Sequence, residues 1–217
     1  MISRNDILKM AGLDTDLEVF GAKIHRYKIG EPLTQGEIQG IEQRYRIVLP
    51  EDYREYLLTI GNGGAGPFHG VLKFWKIYHL RGYQSYEESE EVGDLSLPCS
   101  LETAWNLPES DIGMPEIPDG ISLEEEDAIN DAYHKKIEEI YWSPTILNGC
   151  IPISNQGCAR RTWLIVNGSK AGTIWNDSRS DLEGIRPVMS RSGGIMTFAE
   201  WMAVWVEDPL GHAERLS

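Results

Sequence analysis

The stretch TQGEIQGIEQRYRIVLPEDYREYLLTIGNGGAG, Thr34 to Gly66, decides the fold of this chain. Thr34 and Glu37 stand at the spacing of a capping box, which satisfies two orphan N–H groups at a helix start. Ile38, Ile41 and Tyr45 follow at i, i+3, i+7 and predict a helix over Gln35–Tyr45. Leu49-Pro50 stops it, because the residue before a proline is pushed out of the helical region. Pro50 then opens the next helix, where a missing N–H costs nothing. Tyr53, Tyr56, Leu57 and Ile60 share one face of that second helix, and Gly61 closes it. The reading is a helical hairpin running into a glycine-rich loop.

Outward from the hairpin the pattern changes. Towards the N-terminus, Asn5–Met10 and Asp16–Phe20 read as short helices before a Gly30–Pro32 break. Towards the C-terminus, Val71–Ile77, Ile151–Ser154, Thr162–Val166 and Gly172–Trp175 read as strands, the later ones separated by NQG, NGS and NDS turns. Asn167-Gly168 between Leu164 and Ile174 suits an antiparallel hairpin. Thr197 with Glu200 caps a final helix whose Phe198, Trp201, Met202 and Trp205 fall on one face, and Pro209 ends it. The expected fold is α+β, a mainly antiparallel sheet packed with the N-terminal helical hairpin and a C-terminal helix. Leu57, Ile60, Trp163, Trp175, Trp201 and Trp205 are its expected core. The strand–helix alternation of a doubly wound fold is absent.

The chain has 217 residues, 41% of them apolar, enough for one domain with a substantial core. Its net charge of −14 opposes binding to nucleic acid or anionic lipid through phosphate neutralisation. No apolar run is long enough for a membrane span, and the charged N-terminus does not suit a secretory signal, so a cytoplasmic location is expected. Charge is concentrated. Glu87–Glu139 holds 17 acidic residues against two basic ones, a net −15, whereas the rest holds 17 acidic and 18 basic residues, a net +1. That segment, with four prolines, reads as an acidic insertion at about 87–139 in a single domain over 1–217. Within it, Ser122 and Glu125 form another capping box, and Ile129, Tyr133, Ile137 and Ile140 make a thin apolar stripe.

Catalytic and ligand motifs do not assemble. Gly61–Gly66 satisfies G-x-G-x-x-G, yet a helix precedes it and a strand follows, the reverse of a dinucleotide site. The glycines read instead as a helix C-cap and left-handed turns. Cys99, Cys150 and Cys158 lack zinc-ligand spacing and the five histidines are dispersed, so no metal or cofactor is expected, and the cysteines read as buried and structural. The enzyme alternative is a hydrolase using Cys158, with His69 as a spatial partner, or Asp177 and Asp181, which more often serve turn chemistry. Trp142 reads as core and Trp105 as a candidate interface anchor.

Thr34 to Val71, with its Leu49-Pro50-Glu51-Asp52-Tyr53 junction and Gly61–Pro67 loop, resembles the opening motif of the SMI1/KNR4 family, the SUKH superfamily. FGAKIHRYKIGEPL, Phe20 to Leu33, is similar to the lead-in of bacterial members. GCIPISNQGCARRTWLIVNGSKAGTIWNDS and TFAEWMAVWVED resemble the family's strand block and closing helix. Phe68-His69 and Ala159-Arg160 depart from the pattern, and the acidic middle matches least. The resemblance implies a non-catalytic, protein-binding role. Bacterial members look like immunity proteins that neutralise toxins, often nucleases or deaminases, and fungal members resemble regulators of cell-wall synthesis. A nuclease-type toxin needs a basic face to hold phosphates, so an acidic surface would imitate its substrate and steer encounter. The expected contacts are Glu87, Glu88, Glu90, Glu91, Glu124, Glu125, Glu126 and Asp127, with Trp105 as an anchor.

Overall fold

The computed structural model describes residues 2–74 and 92–217. The helical hairpin forms as its caps dictate. Helix α3 spans Gln35–Tyr45 behind a complete Thr34–Glu37 capping box, and α4 spans Glu51–Thr59, with Pro50 as the residue just before its first turn. Ahead of them lie α1 (Arg4–Leu13), again behind a capping box, and the single-turn α2 (Ala22–His25). The helix expected at Asp16–Phe20 does not form. Leu17 and Gly21 both take positive φ there, and the left-handed Gly21 starts α2 instead. A Cβ on Gly21 would meet the Phe68 carbonyl oxygen at 1.6 Å, so only glycine lets the chain pass.

The sheet is an antiparallel meander of β1 (Cys150–Gly157), β2 (Arg160–Ile165), β3 (Ile174–Asp177) and β4 (Ile185–Pro187), in that order. Cys158 and Ala159, with φ of 48° and 64°, make the tight β1–β2 turn whose twist suits a hairpin. Val71 does not begin a strand as expected. It forms isolated bridges to Gly64 and Ser154, Phe74 is already helical, and the rest of Val71–Ile77 lies outside the described residues.

Both faces of this sheet are buried, because successive strand side chains point to opposite sides. Ile151, Ile153, Leu164 and Ile174 face one cluster with Tyr53, Tyr56, Leu57 and Ile60 and with Phe198, Trp201 and Trp205 of α7 (Phe198–Glu207). Cys150, Trp163, Ile165, Trp175 and Ile185 face the other, with Cys99, Leu101 and Leu147. All six expected core residues are buried. Helix α7 docks on α4 through Phe198, whose ring meets Tyr53 and Tyr56 edge-on at 4.9 and 5.1 Å. The Asp52 carboxylate accepts from the Ala199 N–H at 2.8 Å, so α4 also caps α7. A last short helix, α8, covers His212–Leu216. The glycine-rich loop is structural. Gly64 pairs with both Ile29 and Val71, and a Cβ there would lie 2.4 Å from the Lys28 carbonyl oxygen.

Candidate partner-binding surface

The chain leaves the second cluster near Leu101 and returns at Leu147. Between them the acidic arm carries the one-turn α5 (Glu109–Ile112) and α6 (Leu123–Lys136), which continues as a π-helical turn over Ile137–Tyr141. Helix α6 has no buried residue. Local chemistry holds it instead: the Ser122–Glu125 capping box, Glu124, Glu125 and Glu126 in the first turn, and His134, Lys135 and Lys136 in the last, all signs favourable to the helix dipole. Of the expected apolar stripe, Ile129, Tyr133 and Ile137 are half-buried and Ile140 is exposed. Tyr133 donates its hydroxyl to the Ile112 carbonyl at 2.7 Å, and Lys136 pairs with Asp111 at 2.9 Å, so α6 folds back on α5.

The arm is fixed to the sheet at its root by a buried cation. Arg179, on the turn after β3, clamps the Asp177 carboxylate through Nε at 2.9 Å and Nη2 at 2.6 Å. Its Nη1 donates to the Tyr141 carbonyl at 2.8 Å, and its guanidinium lies 4.9 Å from the Trp142 ring centre. The Tyr141 ring stacks on Trp105 at 5.6 Å, and its hydroxyl donates to Asn106. Trp105 in turn exchanges both backbone hydrogen bonds with Ile185, each 2.8 Å, extending the sheet beyond β4. The anchor expected at Trp105 is therefore half-buried in the root of the arm. Trp142, expected in the core, sits at the surface over Arg179 instead. The residue that gathers these groups, Arg179, was missed because its partners Tyr141 and Trp142 lie far away in sequence.

Beyond the root, the arm exposes both carboxylates and apolar side chains. Glu124, Glu125 and Asp127 are exposed and Glu126 is half-buried. Glu125 differs from its neighbours, since its carboxylate accepts the Ser122 N–H and hydroxyl, both 2.9 Å, and these bonds hold it below its ordinary pKa. Glu124, Glu126 and Asp127 have no side-chain partner among the described residues. Met114 (70% exposed), Leu123 (80%), Ile140 (48%) and Trp142 (38%) are exposed apolar side chains of the same arm. Glu87, Glu88, Glu90 and Glu91 lie outside the described residues.

The candidate hydrolase groups are engaged elsewhere or apart. Asp177 is neutralised by Arg179, and Asp181 pairs with Arg160. Cys158 is exposed at the hairpin turn, not buried, and its thiol makes no hydrogen bond. His69 does come close, since a Cβ on the adjacent Gly157 would lie 3.5 Å from its ring, but its ring stacks on Phe20. Among the described residues no three His, Cys, Asp or Glu side chains converge as metal ligands, and no helix is long and apolar enough to cross a membrane.

The model of the SMI1 / KNR4 family (SUKH-1) matches residues 32–183, through the hairpin, the acidic arm and β1–β3. The lead-in before Glu31 and helix α7, which share the resemblance in sequence, lie outside that match. No curated protein and no solved structure matches the chain.

Proposed function

The chain belongs to the SMI1 / KNR4 family (SUKH-1), and from that premise we propose that it is a non-catalytic, cytoplasmic immunity protein. It neutralises a cognate toxin of nuclease or deaminase type by direct contact, using the acidic arm. The observation that carries this reading is the arm itself: Glu124, Glu126 and Asp127, without side-chain partners among the described residues, share it with exposed apolar side chains, and the buried Arg179–Asp177 pair fixes its root. A toxin that grips phosphates presents a basic face, which an acidic surface attracts over several ångströms and occupies in place of nucleic acid. Charge of this kind sets encounter rate, while Met114, Leu123, Ile140 and Trp142 supply the apolar contact that slows dissociation. The same sign of charge repels nucleic acid and anionic membranes.

The test pairs this chain with a toxin encoded beside it, scoring rescue of growth and measuring association at two salt concentrations. Replacing Glu124 and Glu126 with Gln and Asp127 with Asn, leaving the Glu125 cap intact, is expected to slow association roughly tenfold at low salt and flatten the salt dependence. Trp142→Ala is expected to speed dissociation instead. An unchanged on-rate with an unchanged salt slope would place recognition on another surface.

A further inference from the structure

Cys99 and Cys150 are 51 residues apart in sequence, yet their sulfurs lie 3.4 Å apart with both side chains buried. We propose that they are a redox-responsive dithiol, a modification site that a peroxide converts to a disulfide joining the two roots of the acidic arm. The proposal stands independently of the toxin reading, because it rests on the thiols alone.

The backbone brings them together. The Cys99 N–H donates to the Asn167 carbonyl at 2.8 Å, and Cys150 pairs with Ile165 in the β1–β2 ladder. A Cβ on Gly149 would lie 2.8 Å from the Cys99 nitrogen, and one on Gly168 would lie 2.8 Å from its carbonyl oxygen. Two glycines thus let the chain at Cys99 settle directly against the start of β1 and the β2–β3 turn. A disulfide needs sulfurs about 2.05 Å apart, so the remaining approach falls to the side chains.

The two thiols are not equivalent. Cys150 donates its S–H towards the Cys99 sulfur, which holds the Cys99 thiol below its ordinary pKa and Cys150 above it. Cys99 is also the less deeply buried, at 6% exposed against 0%. It is therefore the attacking sulfur. Its thiolate takes one oxygen of the peroxide, the O–O bond breaks, and the departing hydroxide is protonated to water, leaving a sulfenic acid. Cys150 then loses its proton and attacks the Cys99 sulfur; the S–S bond forms, the S–O bond breaks, and a second water leaves. Two thiols lose two electrons and one peroxide gains them.

The bond closes a loop from residue 99 to residue 150, which contains α5, α6 and the π-helical turn. A loop that long draws a large share of its entropy from the unfolded chain, so the oxidised protein melts on the order of 10 °C higher.

The experiment uses the full chain with Cys158→Ser, which removes the exposed thiol. The reduced protein is treated with hydrogen peroxide, mapped by mass spectrometry without reduction, and melted. The expected result is a Cys99–Cys150 linked peptide, an intact mass lower by two hydrogens, and a raised Tm that dithiothreitol reverses. Both cysteines still alkylated as thiols after denaturation, or Cys99 oxidised to sulfinic acid with no link, would overturn the dithiol. A link that leaves Tm unmoved would overturn the staple. Adding Cys150→Ser is expected to trap Cys99 as a sulfenic acid reactive to dimedone. No dimedone labelling of Cys99, the one cysteine left in that variant, would overturn the assignment of Cys99 as the attacker.

Discussion

His25 shows how a single ring couples this fold to pH. Its Nδ1 accepts from the Tyr27 N–H at 3.1 Å, so the neutral ring carries its proton on Nε2, which is buried without a partner. The ring meets Trp205 edge-on at 5.8 Å and Tyr27 at 5.2 Å. Burial is the main reason its pKa falls from 6.5 to about 4; the charges of His212 and His69 push the same way, and Asp14 opposes them. Burial also lowers His212, whose Nε2 accepts from the Phe68 N–H. The unfolded chain therefore binds a proton at His25 between pH 6.5 and 4 that the folded chain refuses. Stability is full above that window and falls within it, by at most about 1.4 kcal/mol per pH unit for this group. Carboxylates held low, such as Glu125 from 4.5 and Asp208 from 3.8, add to the loss only at the acid end of that window and below it. Urea titrations from pH 7.5 to 4.5 are expected to show this slope in the wild type and a shallower one in His25→Gln. Equal slopes would remove His25 from the account.

Among the elements, the arm depends most on one tertiary anchor. With no buried residue, α6 is near the length at which isolated helices are marginal in water. Its downstream end is held by Arg179, so Arg179→Met strands the Asp177 carboxylate in the interior and frees Tyr141 together. Removing one partner of a buried pair costs about 3–5 kcal/mol. The expected outcome is a loss of that size by denaturation, with faster tryptic cleavage at Lys135 and Lys136. Adding Asp177→Leu is expected to restore much of the stability without restoring protection; a single variant as stable as wild type would refute the anchor. This dependence also explains what the sequence revealed. Helices α3, α4 and α7 were legible because caps and apolar spacing are local, and the β2–β3 hairpin because Asn167-Gly168 is. Of the strand expected over Val71–Ile77, the described start forms only isolated bridges, because the pairing of Val71 with Gly64 and Ser154 is set by the glycine loop, not by β-branched content. The three residues of β4 carry no period to read. For the site, charge was legible by counting, whereas the Arg179 root joins residues 38 apart and needed the fold to appear.

At the scale of the whole molecule, the two apolar clusters raise the question of cooperativity. They lie on opposite faces of one sheet, and β1, β2 and β3 each supply side chains to both. Leu164 faces the helices while its neighbours Trp163 and Ile165 face the Cys99 side. Neither cluster can dissolve without stranding half the side chains of the same strands, so we propose that residues 1–217 fold as one domain with the acidic arm as its least stable part. Native-state hydrogen exchange separates the possibilities, because each cooperative unit reports its own opening free energy. The amides of α4 and α7, on one face, and those of β1–β3 are expected to share the highest opening free energy and the same denaturant sensitivity. Those of α6 are expected to open earlier, since their hydrogen bonds face water and no buried side chain secures them. If α4 and α7 opened together at a free energy well below that of the strands, the helical layer would be a unit of its own. The shared sheet would then not transmit stability from one face to the other.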